Sequence, residues 1–150
     1  MKNQIDKKQI LQACIAKQEE LIGNFKMREV ELYNDTYDQN AIASQTESRK
    51  DGKTELLAAL GNELVFAQQE LIYLNTVDVS KVCTVIEPGA TIVTNHLTFF
   101  IGVSTENIEV AGEPVFGIST KAPIYAAMQG LQKGASFQFN ERKYLIEDLY

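Results

Sequence analysis

The stretch Leu57-Ala-Ala-Leu60-Gly-Asn-Glu-Leu64-Val-Phe-Ala67-Gln-Gln-Glu-Leu71-Ile-Tyr-Leu74 carries leucine or alanine at every third or fourth position. On a helix those positions form one narrow apolar seam, which needs a second helix to cover it. Residues 5 to about 33 supply the candidate. There Ile10, Leu11, Cys14, Ile15, Leu21, Ile22, Phe25 and Leu32 recur at the same steps, with no proline and only Gly23 as a weak point. An antiparallel arrangement sets Leu11 near Leu74, Ile15 near Leu71, Ile22 near Leu64 and Phe25 near Leu60, so the chain should reverse near residues 41–45. At about 1.5 Å per residue, such a hairpin is about 45–50 Å tall.

Its distal part, residues 34–54, is polar and rich in Asn, Asp, Ser and Thr. Asp35 and Asp38 stand three residues apart, which on a helix puts both on one face. Glu47 on the returning arm should come down opposite Asp38, with Arg49, Lys50 and Lys53 just below it. Two neighbouring carboxylates can hold a Mg²⁺ that keeps most of its waters and completes its shell with phosphate oxygens. The same residues equally suit the solvated end of a helical hairpin, where nothing is buried.

After Val77 the periodicity changes. Thr91–Thr94, the turn Asn95-His96 and Leu97–Val103 read as a β-hairpin of β-branched and aromatic residues, introduced by Pro88-Gly89. Val115–Ser119 reads as a strand, and Pro123–Gly130 as a short helix with proline in its first turn and glycine beyond its end. Phe137–Phe139 and Lys143–Ile146 close the chain as a second hairpin. Strands, one helix and further strands describe a small α+β sheet domain, with the helix on one face. The boundary between the two parts falls near residues 75–80.

Composition narrows the function. A net charge of −6 and a pI near 4.8 oppose a protein that wraps nucleic acid unaided, since that affinity comes from surplus Lys and Arg on phosphates. No apolar run reaches the roughly 20 residues of a bilayer span, and the first ten residues lack an apolar signal core, so a cytoplasmic protein without membrane contact is expected. Cys14 and Cys83, with no CxxC spacing, read as buried reduced thiols. His96 lacks the partners of a zinc site and reads as an exposed turn residue. The loops of nucleotide-binding proteins and triad hydrolases, GxxxxGK, GxGxxG and GxSxG, do not occur.

From Gly117 to Leu149 the chain resembles the C-terminal domain of the bacterial Gre (GreA/GreB) transcript-cleavage factors. The features that carry the likeness are Ile118-Ser119, Ala122-Pro123-Ile124, Ala126-Ala127, Gly130, Lys133-Gly134, Phe137–Phe139 and Tyr144–Glu147. The hairpin closing on Ile101-Gly102 and the helical pair before it fit the same order, so the resemblance covers essentially the whole chain. It implies an N-terminal antiparallel coiled-coil hairpin (residues 1–77, tip near 35–47) and an FKBP-like α+β domain (residues 78–150). It implies a monomeric elongation factor whose globular domain docks on RNA polymerase through Pro123 and Ile124, while the finger enters the secondary channel. There Asp35 and Asp38 would help hold a Mg²⁺ shared with the polymerase, for two-metal cleavage of backtracked RNA. No cofactor of its own is expected, and the factor is an accessory to the polymerase active site. Arg49, Lys50 and Lys53 would lie near the nascent RNA 3′ end or form a solvated basic face.

The family tip reads Asp, two residues, Glu, then Asn; here it is Asp35-Thr-Tyr-Asp38-Gln-Asn40, one methylene shorter at the second acid and with Asn displaced by one place. Misplacement by about an ångström can cost on the order of a hundredfold in rate. The loop serine of the family is Ala122. Related factors occupy the same channel without promoting cleavage, so a non-cleaving channel regulator is the alternative. Two readings of other classes remain: a coiled-coil dimerising interaction protein, whose seam pairs with a second chain, and a prolyl isomerase, a class that usually lines its pocket with a tryptophan this sequence lacks.

Overall fold

The computed structural model describes residues 4–36 and 43–150, and the side chains of residues 35, 36, 43–51 and 53 lie outside that description. The fold is α+β. Two long helices, α1 (Lys7–Thr36) and α2 (Ala43–Leu74), precede β1 (Thr91–Thr94), β2 (Thr98–Gly102), β3 (Asn107–Val110), β4 (Glu113–Ser119), α3 (Pro123–Met128), β5 (Ser136–Phe139) and β6 (Arg142–Leu149). The chain divides into two compact units: Met1–Lys17 with Ile72–Tyr150, and Gln18–Leu71. Among the described residues, no helix is long and apolar enough to cross a membrane.

The first unit is built on a six-stranded sheet of order β3-β4-β2-β1-β6-β5. All neighbours are antiparallel except β2 and β4, which run parallel with Phe99 opposite Phe116 and Ile101 opposite Ile118. Because successive side chains of a strand point to opposite faces, β2 feeds two cores. Phe99 and Ile101 join Ile86, Ile92, Tyr144 and Ile146 on one face, where Tyr125 and Met128 of α3 cover them. Phe100 points the other way and meets Val103, Val110 and Val115. That second face is closed by Ile10 and Cys14 from the start of α1 and Leu74 from the end of α2, all fully buried.

Two features differ from the sequence expectation. Strand β3 lies in a stretch that alternation alone did not single out. Its sign is the Ala111-Gly112 dipeptide: both residues have positive φ (53° and 78°), and they join Val110 to Glu113, which pair across the turn. Two central residues with φ > 0 make the type of two-residue turn that matches strand twist. Helix α2 also begins at Ala43, well before the apolar seam at Leu57. Its first turns read Ser-Gln-Thr-Glu-Ser-Arg-Lys, residues that carry little penalty in a helix even where no apolar face calls for one.

Within the second unit, the Gln18 side-chain amide donates to the Ala67 carbonyl oxygen at 2.9 Å, and Gln18, Ile22 and Ala67 are buried. Farther along, Glu29, Val30 and Tyr33 line an open groove with Thr54, Leu57 and Ala58. Residue numbers therefore fall on α2 as they rise on α1: 18 meets 67, and 29–33 face 54–58.

Candidate functional site

Strand β4 ends at Ser119, and the next four residues form a tight, hydrogen-bonded approach to α3. The Ser119 carbonyl accepts from Ala122 N at 3.0 Å, its hydroxyl oxygen accepts from Lys121 N at 3.1 Å, and its own N–H donates to the Ser104 hydroxyl at 3.2 Å. Ala122 is the N-cap in an extended conformation (φ −71°, ψ 141°), and no side chain caps the helix. Pro123 follows in the first turn, where its fixed φ suits a helix and its missing N–H is no loss. Gly130 closes the element with φ 78°. The serines, which carry no catalytic signature in the sequence, are thus the residues that shape the turn.

The side chains divide cleanly. Tyr125 and Met128 anchor α3 in the sheet core, and Ile124 packs half-buried against it, while Lys121, Pro123 and Ala126 face solvent. Burial pushes the Tyr125 phenol above its ordinary value, with the Tyr73 phenol and Glu87 adding to the effect. Pro123 is thus exposed and Ile124 half-buried at the end of this hydrogen-bonded turn.

Of the acidic pair, Asp35 lies in the last turn of α1 with its side chain outside the described residues, and Asp38 lies outside them altogether. Arg49, Lys50 and Lys53, like Glu47, fall in the first turns of α2, and their side chains are likewise outside the description. Among the described residues, no group of three or more His, Cys, Asp or Glu side chains could hold a metal. His96 is exposed at the β1–β2 turn and meets the Tyr144 ring edge-on at 5.6 Å. Cys14 and Cys83 are free and buried; burial pushes the Cys14 thiol up to about 11. No family profile matches the chain, and neither does any curated protein.

Proposed function

We propose that this chain is an RNA polymerase-binding elongation factor of the Gre type, in which a coiled-coil finger enters the secondary channel and an FKBP-like domain docks at its rim. The observation that carries the proposal is one of order along the chain. Two helices of opposed numbering, the first carrying Asp35 in its last turn, flank the stretch that contains Asp38, and a sheet unit then carries Pro123 and Ile124 on a hydrogen-bonded turn. The opposed numbering supports the register in which Leu11 meets Leu74 and the reversal falls between α1 and α2. A partner that already holds the nucleic acid also accounts for an acidic factor. Asp35 and Asp38 then lend carboxylates to a Mg²⁺ of the polymerase active site, and Arg49, Lys50 and Lys53 flank the RNA 3′ end.

A second reading is favoured by one residue. Asp38 stands where the resemblance calls for the longer Glu, and a shortened carboxylate suits a factor that fills the channel without promoting cleavage. The two are separated by adding the protein and Mg²⁺ to backtracked elongation complexes of the polymerase from the same source. Release of short 3′ fragments, lost with Asp35→Ala or Asp38→Ala, is the outcome expected of a cleavage factor. Binding without release, weakened by Ile124→Asp, identifies the channel regulator, and absence of binding overturns both.

A further inference from the structure

At the foot of α1, in the sheet unit, a lysine ammonium is almost fully buried, with no ion pair to a carboxylate among the described residues. Lys7, 8 % exposed, donates through Nζ to the carbonyl oxygens of Lys81 at 2.6 Å and Gly89 at 3.1 Å, and approaches Cys83 Sγ at 3.9 Å. Buried lysines ordinarily pair with an acid. The Cys83 thiol donates weakly to the Lys81 carbonyl oxygen at 4.0 Å, and Lys81 Nζ in turn holds the Glu87 carboxylate at 2.8 Å. The thiol thus lies against the amine, only 2 % exposed itself but flanked by Val82, which is 71 % exposed. The Asp35–Asp38 reading makes no use of this cluster, and nothing in the sequence pattern signals it.

We infer that Lys7 and Cys83 form a reversible covalent nitrogen–sulfur bridge when the protein meets a peroxide. In the first step the thiol proton passes to solvent, and the sulfur attacks one peroxide oxygen, the departing oxygen taking up a proton from solvent. The O–O bond breaks, Cys83 becomes a sulfenic acid, and the other oxygen leaves as water: the sulfur loses two electrons and the peroxide gains them. In the second step the Lys7 amine, having released its ammonium proton to solvent, attacks the sulfur. The N–S bond forms, the S–O bond breaks, and hydroxide leaves with a second amine proton as water, with no further change in electron count. Sulfenic acids condense with nitrogen in this way. The product ties the start of α1 to the 81–89 segment across about 76 residues of chain.

The charges around the thiol set its pH dependence. Burial raises the Cys83 thiol, Lys7 and Lys81 oppose that, and Glu87 adds to it; Asp78 in turn faces Lys7 and Lys81. Because the net direction is upward, the attacking thiolate is scarce at neutral pH and grows about tenfold per pH unit.

The test is intact-mass and peptide analysis of the full chain carrying Cys14→Ser, which leaves Cys83 as its one thiol, after treatment with hydrogen peroxide at pH 7 and pH 9. The bridge predicts a loss of about 2 Da, a linked peptide containing Lys7 and Cys83, faster formation at pH 9, and reversal by dithiothreitol with a return of Tm to its starting value. Lys7→Arg keeps the cation and leaves Cys83 with added oxygens and no link. Cys83 that takes up one, two or three oxygens in the Lys7 protein without linkage overturns the inference, as does Cys83 left unmodified at both pH values.

Discussion

At the scale of single residues, the sheet unit is constrained by what fits between its two faces. Gly117 in β4 pairs with Phe100, and a Cβ there would collide with the Val103 carbonyl oxygen and the Thr105 hydroxyl, which itself accepts from Gly117 N at 2.9 Å. Only a residue without a side chain keeps the parallel β2–β4 register. Thr91 presents the opposite case. It is fully buried, its backbone N–H and C=O pair with Tyr150 at 2.8 and 3.1 Å, and its hydroxyl is without a partner. A buried hydroxyl left unpaired costs about 1–3 kcal/mol, and valine has the same shape. Thr91→Val should therefore stabilise the protein by about 1 kcal/mol, read as a higher midpoint in urea at unchanged slope; a loss of stability would show that the hydroxyl makes a bond.

At the scale of elements, legibility followed periodicity. Helices α1 and α2 were readable because a helix repeats its apolar positions at three- and four-residue steps, and β1, β2, β4, α3 and the closing hairpin because β-branched runs and turn residues bound them. Strand β3 escaped because Asn107-Ile-Glu-Val is half polar at a sheet edge, where packing selects few residues. The sheet order was not legible either, since parallel pairing of β2 with β4 is a long-range choice that no local pattern encodes. Of the candidate site, Pro123 could be read as an N1 proline, but Ser104 and Ser119, which shape the turn, could not. The uncapped start of α3 supplies a direct test. Ala122 already has the extended backbone of an N-cap, so Ala122→Ser adds a side-chain acceptor at the start of the helix without strain. It should raise stability by about 0.5–2 kcal/mol, visible as slower hydrogen exchange in α3, and unchanged exchange would mean that the added hydroxyl stays in water.

At the scale of the whole molecule, the sequence boundary near residue 77 and the packing of the sheet ask different things of the chain. The sheet has two apolar faces, and only one of them is covered by its own helix, α3. The other rests on Ile10, Cys14 and Leu74, so Phe100, Val103, Val110 and Val115 draw their cover from residues 26 (Leu74 to Phe100) to 105 (Ile10 to Val115) positions away in sequence. Tyr150 repeats the theme, its hydroxyl accepting from Ile5 N at 2.8 Å. A fragment of residues 78–150 would keep every strand and α3 yet expose Phe100, Val103, Val110 and Val115 to water. It should bind a hydrophobic dye and lose a cooperative unfolding transition, while the full chain with Leu74→Ala stays folded but loses about 2–5 kcal/mol, because that side chain is fully buried. A fragment that unfolds cooperatively with the full chain's midpoint would show that the helix ends add nothing to the sheet. The expected outcome instead makes the first turns of α1 and the last of α2 part of the sheet's own core, so that a helix carrying Asp35 begins as a structural member of the unit that presents Pro123 and Ile124.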